Sequence, residues 1–192
     1  DVDRLLAEAT ILRTHVLRPT WHFVLPADIR WMLELTAPRI HQSSAYYYRQ
    51  LELDDSIQKR CGKIIERALR SEGQLMRKEI QAVLERAGVR ARGPRLGYIM
   101  MYAELNGLIC SGALKGKQHT YALLEERAPQ ATELTREQAL AELTRRYFTT
   151  RGPATEIDFR WWSSLKAVDA RRAIEAARPS LEQVDLDGRT YW

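Results

Sequence analysis

Asn106-Gly107-Leu108-Ile109-Cys110-Ser111-Gly112-Ala113-Leu114-Lys115-Gly116-Lys117-Gln118-His119-Thr120-Tyr121-Ala122-Leu123-Leu124 decides the fold. Two apolar runs, Leu108–Cys110 and Thr120–Leu124, flank a polar loop that turns at Lys115-Gly116-Lys117. That pattern predicts a β-hairpin. Three helical patterns precede it. Asp54-Asp55 opens the first, with Ile57, Cys61, Ile64, Ile65, Ala68 and Leu69 at i, i+3 and i+4 spacing, and Gly73 ends it. Leu75–Ala87 gives the second, closed by Gly88, and Arg95–Leu105 the third, stopped by Asn106-Gly107. Three helices followed by a β-hairpin make a helix-turn-helix with a β-wing, the winged helix.

The same order recurs in both directions along the chain. Downstream, Thr135-Arg136-Glu137-Gln138 has the capping-box spacing. Its helix stops at Gly152-Pro153, and Thr155 and Ser164 are placed to cap two more, over Glu156–Trp162 and Lys166–Ala177. Asp187-Gly188 then predicts a tight hairpin turn. Gly73 and Gly152 end corresponding helices, and Gly116 and Gly188 sit in corresponding turns. Upstream, Val2–Ala9 has helical spacing, and Ile11–Arg18 and Thr20–Leu25 read as strands around Pro19. Ile29–Ala37 and a helix beginning near Pro38 follow as connectors.

The expected fold class is therefore α+β, mostly helical, in tandem winged-helix units. Residues 1–25 are the C-terminal half of a first unit, 26–53 connecting helices, 54–128 a complete unit and 129–192 a further one. The start, Asp1-Val2-Asp3-Arg4, lacks an initiator Met and an apolar leader, so an internal fragment is expected.

Composition narrows the function. With 45% hydrophobic residues the 192-residue chain can build a core, and its net charge of +5 suits a polyanionic partner without requiring one. No apolar run approaches the roughly 18–20 residues of a membrane span. Cys61 and Cys110 stand alone, which argues for buried thiols in a reducing compartment and against a cysteine zinc site. No phosphate loop, HExxH or Gly-x-Ser-x-Gly occurs, so no cofactor, metal or catalytic residue is expected.

The candidate binding residues are basic. In residues 54–128 they are Arg90, Arg92 and Arg95 around the third helix, which commonly enters the major groove, and Lys115, Lys117 and His119 on the wing. A solvated basic loop is the plain alternative. In the last unit Glu182, Asp185 and Asp187 make the wing acidic, so that unit is expected to pack on the others. Thr20-Trp21-His22 beside Arg18 reads either as a polar hairpin that touches DNA or as a strand with Trp21 and His22 in the core. One residue of Trp161-Trp162 should be core and the other at a unit interface. Tyr46-Tyr47-Tyr48 invites base stacking, with inter-unit packing the preferred reading.

Several stretches together carry a resemblance. They are Ile11-Leu12-Arg13-Thr14 through Leu17-Arg18-Pro19-Thr20-Trp21-His22, then Pro26-Ala27-Asp28-Ile29-Arg30-Trp31 and Leu35-Thr36-Ala37-Pro38-Arg39. Glu126-Arg127-Ala128-Pro129, Arg145-Arg146-Tyr147-Phe148, Gly152-Pro153-Ala154-Thr155 and Asp158-Phe159-Arg160-Trp161-Trp162-Ser163 complete the set. Over nearly its whole length the chain resembles the bacterial winged helix DNA-binding domain family that includes the AlkZ/YcaQ-type DNA glycosylases. The resemblance implies tandem winged helices that clasp double-stranded DNA in the cytoplasm, at the nucleoid, and it marks Arg18, Thr20 and His22 as a family hairpin motif. In glycosylase members it also implies excision of alkylated or crosslinked bases by a Gln-x-Gln or Gln-x-Asp motif, placed upstream of Asp1. Gln42, Gln50, Gln58, Gln74, Gln81, Gln118, Gln130, Gln138 and Gln183 are expected not to form it. The resulting expectation is duplex DNA binding without catalysis by these residues. Membership of a glycosylase is the alternative, and a scaffold with no nucleic-acid role is a third reading.

Overall fold

The computed structural model describes all 192 residues. Helix α1 (Val2–Ala7) leads into strands β1 (Leu12–His15) and β2 (Trp21–Val24), which pair antiparallel. Their register sets Leu12 opposite Val24, Arg13 opposite Phe23, Thr14 opposite His22 and His15 opposite Trp21. Opposed residues share a face. One face, with Leu12, Thr14 and Val24, is therefore buried, and Trp21 and Phe23 lie on the other, exposed.

Helix α2 runs unbroken over Ile29–Gln50 with Pro38 inside it. The sequence predicts two helices here, divided at Pro38. A proline removes one backbone donor, but the helix is buried on more than one side, by Trp31, Leu33, Leu35 and Ala37 before it and Ile40 after it, and burial outweighs the lost bond. Asp28 stands at the N-cap without capping. Its carboxylate instead accepts from Trp31 Nε1 at 3.1 Å and from Arg146 at 2.5 and 3.1 Å, which ties the start of α2 to a helix far along the chain.

Next come α3 (Asp55–Glu72), β3 (Leu75–Met76), α4 (Arg77–Arg86), α5 (Gly93–Leu105), β4 (Ile109–Lys115) and β5 (Gln118–Leu123). This is the winged-helix order with its full three-stranded sheet, β3-β5-β4. Strand β3 replaces the first two residues of the helix expected from Leu75. Glu79 Oε2 accepts from the Met76 N–H at 2.7 Å and starts the helix there, which leaves Leu75 and Met76 to pair with Tyr121 and Thr120. The strands of the wing reach further than expected, so that only Gly116 and Lys117 form its turn. Gly116 has φ +63°, a conformation that favours glycine.

A short α6 (Leu124–Arg127) leads to α7 (Arg136–Arg151), α8 (Glu156–Ser163) and α9 (Ala167–Ala177). The capping box at the start of α7 forms as predicted: Thr135 Oγ1 accepts from the Gln138 N–H at 3.3 Å, and Gln138 Oε1 from the Thr135 N–H at 2.9 Å. Ser164, predicted to cap α9, instead ends α8 in a left-handed conformation, and Lys166 stands at the N-cap of α9. The hairpin β6 (Val184–Leu186) and β7 (Arg189–Tyr191) closes the chain around Asp187-Gly188. Ala154 and Trp192 exchange backbone hydrogen bonds at 2.9 and 3.0 Å. Ala154 lies between α7 and α8, where β3 lies between α3 and α4, so this pair is the one-residue counterpart of the β3–β5 ladder.

Two cores result. One gathers buried side chains of residues 53–123 alone. The other joins the first hairpin and α2 to α7, α8 and α9, and takes Met101, Leu105, Cys110 and Leu124 from the middle of the chain. No helix is long and apolar enough to cross a membrane.

Candidate nucleic-acid interface

In an isolated winged helix the third helix offers one face to the major groove. Here α5 cannot. Eight of its thirteen residues are buried, and both sides of it are covered. Tyr47 of α2 stacks on Tyr98 with ring centroids 5.4 Å apart, and Tyr48 meets Tyr98 and Tyr102 edge-on. The tyrosine triplet thus packs α2 onto α5. On the other side β1 lies against α5 through His15, whose Nδ1 meets the carboxylate of the buried Glu104.

The arginines around α5 are correspondingly engaged. Arg95 is buried, its Nε donates to the Arg90 carbonyl at 2.8 Å and its Nη1 to the Leu51 carbonyl. It ties the end of α2 to the segment just before α5, and its side chain is only 10% exposed. Arg90 pairs with Glu52 at 2.9 Å and Arg92 with Glu85 at 2.8 Å. Both pairs are exposed, so they are worth little and open readily.

The first hairpin is the opposite case. Arg13 stacks over the Trp21 indole at 4.5 Å from its centroid, and the His15 ring lies 5.0 Å from the same indole. Trp21 is 46% exposed and Phe23 56%. A cation laid on an exposed aromatic face is oriented without being neutralised. At the far end of β1, the Arg18 guanidinium sits 5.3 Å over Trp161. Each of the five tryptophans has an arginine over it: Arg13 on Trp21, Arg146 on Trp31, Arg18 on Trp161, Arg151 on Trp162 and Arg178 on Trp192. Arg146 and Arg178 also pair with carboxylates, at 2.5 and 3.2 Å, whereas no carboxylate lies within 4 Å of Arg13, Arg18 or Arg151. The stacked pairs thus divide into structural latches and arginines with charge to spare.

Of the predicted residues, the structure brings Thr20, His22 and Arg18 together. Thr20 Oγ1 and His22 Nε2 are 3.0 Å apart. Burial, then Arg18 and His15, hold the His22 pKa below its ordinary value. The wing joins the hairpin through a side chain: the Arg13 N–H donates to Ser111 Oγ of β4 at 2.8 Å. His119 is half-buried, and burial followed by the Arg13 charge lowers its pKa as well. Lys117 is exposed at the turn with no acidic partner, while Lys115 reaches Glu79 at 3.3 Å. Arg90, Arg92 and Arg95 form a separate group. Sequence reasoning missed Arg13, Phe23 and the exposure of Trp21, and period-two alternation along β2 is the signal that carries them.

Three further features bear on chemistry. A groove between α3 and α4 carries Lys59, Lys63, Arg67 and Arg86 on its rim. Burial pushes the Cys110 thiol up to about 12, so it is no nucleophile. Gln183-Val184-Asp185 does spell Gln-x-Asp, against the expectation that no glutamine would. It runs from the residue before β6 into that exposed strand, with Gln183 Nε2 3.4 Å from Asp185 Oδ2 and Thr190 Oγ1 donating to Asp185 at 2.6 Å. A carboxylate in open water on a hairpin lacks the desolvated setting that strengthens electrostatic catalysis.

Comparison with known proteins follows the same line. A solved structure, Streptomyces sahachiroi DNA glycosylase AlkZ, is similar in fold with a TM-score of 0.72 at 22% identity. The match covers 99% of this chain and 54% of that one, so this chain spans about half its length. No curated protein matches. The family described as DNA glycosylase AlkZ-like matches residues 1–192. The chain belongs to the AlkZ-like DNA glycosylase family.

Proposed function

We propose that this chain supplies the duplex-DNA grip of a DNA glycosylase that removes alkylated or crosslinked bases. Family membership supports the glycosylase reading over a regulator. The observation that carries the grip is the first hairpin, where the half-buried Arg13 lies on the exposed Trp21 beside the exposed Phe23 of a two-stranded ribbon. Ribbons of this kind read grooves, and aromatic side chains stack on bases that leave the helix. A glycosylase must extrude its target from the stack. The wing adds Lys117 for the phosphate backbone, where charge matters more than geometry.

In this reading α5 is a strut and the ribbons touch DNA. Base release is assigned to residues other than these 192, since the one Gln-x-Asp present is on an open hairpin. The test is titration of the full chain with a labelled duplex at 50 and 200 mM salt. Affinity should drop steeply between the two, and the double variant Arg13→Ala/Trp21→Ala should weaken it further at either salt. No binding at 50 mM overturns the reading. Release of free base from an alkylated duplex by this chain alone overturns the assignment of catalysis elsewhere.

A further inference from the structure

The tip of the first hairpin does not end in open solvent. It faces α2 and α8 across a cleft of about 440 Å³. Arg18 comes from the hairpin, Arg39 and Ser43 from α2, and Arg160 and Trp161 from α8. Three arginines thus border one cleft that no Asp or Glu lines. The nearest carboxylate, Glu156, is 3.9 Å from Arg160 and lies closer, at 3.4 Å, to Arg171. Arg39 donates only to Gln42 Oε1, at 3.0 Å.

Two of these arginines carry a stronger mark. Nε of Arg18 and Nε of Arg160 are both buried and have no acceptor. A buried donor left unpaired is costly, and a charged one more so. Meanwhile Trp161 is 74% exposed, with Arg18 on its ring as the oriented cation. Arginine planes suit phosphate oxygens bidentately, and an exposed indole beside them suits a planar base.

We propose that this cleft is a nucleotide subsite: Arg18, Arg39 and Arg160 hold one phosphodiester of a DNA strand, and Trp161 stacks a base displaced from the helix. The proposal rests on the DNA-grip reading and deepens it. Its ligand is a strand phosphate with an unpaired base. A free mononucleotide shares that chemistry and is separated from it by the test.

The experiment titrates the full chain with two labelled duplexes, one intact and one bearing a single unpaired nucleotide. Stacking of one base is worth about 1–3 kcal/mol, so the bulged duplex should bind about 5-fold tighter or more. Trp161→Ala should bring the ratio of the two affinities to about one, and Trp161→Phe should keep most of it. Arg160→Ala should lower the salt slope of bulged-duplex binding by about 1. Thermal unfolding of each variant checks that it folds, and Trp161 is exposed enough to make that expected. Tight binding to both duplexes with a ratio near one in the parent chain overturns the subsite and leaves the grip standing. Binding to neither overturns the grip itself. A ratio that survives Trp161→Ala overturns the stacking assignment, and competition by millimolar deoxynucleoside monophosphate overturns the strand assignment.

Discussion

Residues 54–128 and 129–192 repeat one order of elements, yet they spend their third helices differently. Helix α5 buries eight of thirteen residues, on one side in the core of residues 53–123 and on the other against α2 and β1. Helix α9 buries four of eleven, and Val168, Arg171, Arg172 and Glu175 remain exposed along it. The sheets differ in the opposite sense. The first segment has a three-stranded sheet with a basic turn, the second a bare hairpin with Glu182, Asp185 and Asp187 around it. So the helix with a basic neighbourhood is covered, and the helix with a free face belongs to the segment whose wing repels phosphate. A repeated fold therefore does not repeat a function. What packs on each copy decides which of its elements can meet a ligand.

The seam that covers α5 is the place to break this contrast. His15 is the partner of Glu104, whose side chain is only 1% exposed. Removing His15 leaves the buried Glu104 carboxyl without its hydrogen-bond partner, and a buried polar group left unsatisfied costs about 1–3 kcal/mol, more where it is charged. His15→Ala should therefore produce the largest loss of stability of the single changes considered, read as a lower urea midpoint. If it shifts the midpoint no more than an exposed substitution does, the hairpin is not anchored through this pair.

This seam also shows what could be read in the sequence. The helices of residues 54–128, their glycine stops and the capping box at Thr135 were legible because each depends on residues within one turn. The hairpin at Asp187-Gly188 was legible for the same reason. Strand β3 was not, since two residues carry no period and only Thr120 and Tyr121, far along the chain, make them a strand. Nor was the fate of the arginines. Arg90 looks as free as Arg13 in sequence, and its partner Glu52 lies 38 residues away. Lone cations become neutral or available through contacts that no local pattern records. In the hairpin, Arg18, Thr20 and His22 were named from a family motif, whereas Arg13 and Phe23 were passed over although alternation along β2 follows from the strand alone.

Arg95 and Arg172 sharpen the comparison at the next level of effect. Arg95 is buried and bonded to two carbonyls, whereas Arg172 is exposed on α9 with no carboxylate within 4 Å. Hydrogen bonds from charged donors are worth about 1.5–3 kcal/mol, so Arg95→Ala should destabilise by about that amount. Arg172→Ala should stay within about 0.5 kcal/mol, as surface changes do. Equal effects on the urea midpoint would mean that α5 and α9 are alike in their surroundings after all.

Lys117 should act on binding and leave folding alone. Its side chain is exposed at the wing turn. Lys117→Ala should reduce the slope of log affinity against log salt by about 1, with no change in thermal midpoint. Lys63→Ala, in the α3–α4 groove, should leave that slope as it was. A slope that responds to Lys63 and ignores Lys117 would move the interface from the ribbons to that groove.

The smallest effect is a pH dependence with two signs. His22, His41 and His119 all have pKa values lowered from 6.5, burial being the first cause in each. Arg18 then His15 add to it at His22, and Arg13 at His119. Below about pH 6.5 the unfolded chain takes up protons that the folded chain still refuses, so stability rises with pH in this window. It should be fully present above pH 7 and decline as pH falls through the lowered folded values. Carboxylates held low by partners, such as Glu79 and Glu142, titrate below 4.5 and do not enter between pH 7.5 and 5.5. DNA reverses the sign at His22. A phosphate near the hairpin favours its protonated ring, so duplex affinity should rise over the range in which stability falls. His22→Asn should flatten part of both curves at once. His41→Asn should flatten only the stability curve, because His41 bonds to Tyr48 at 2.9 Å within the α2–α5 packing and away from the ribbon. If His41→Asn changes the pH dependence of affinity and His22→Asn does not, the helix that this packing covers would be the one that meets DNA.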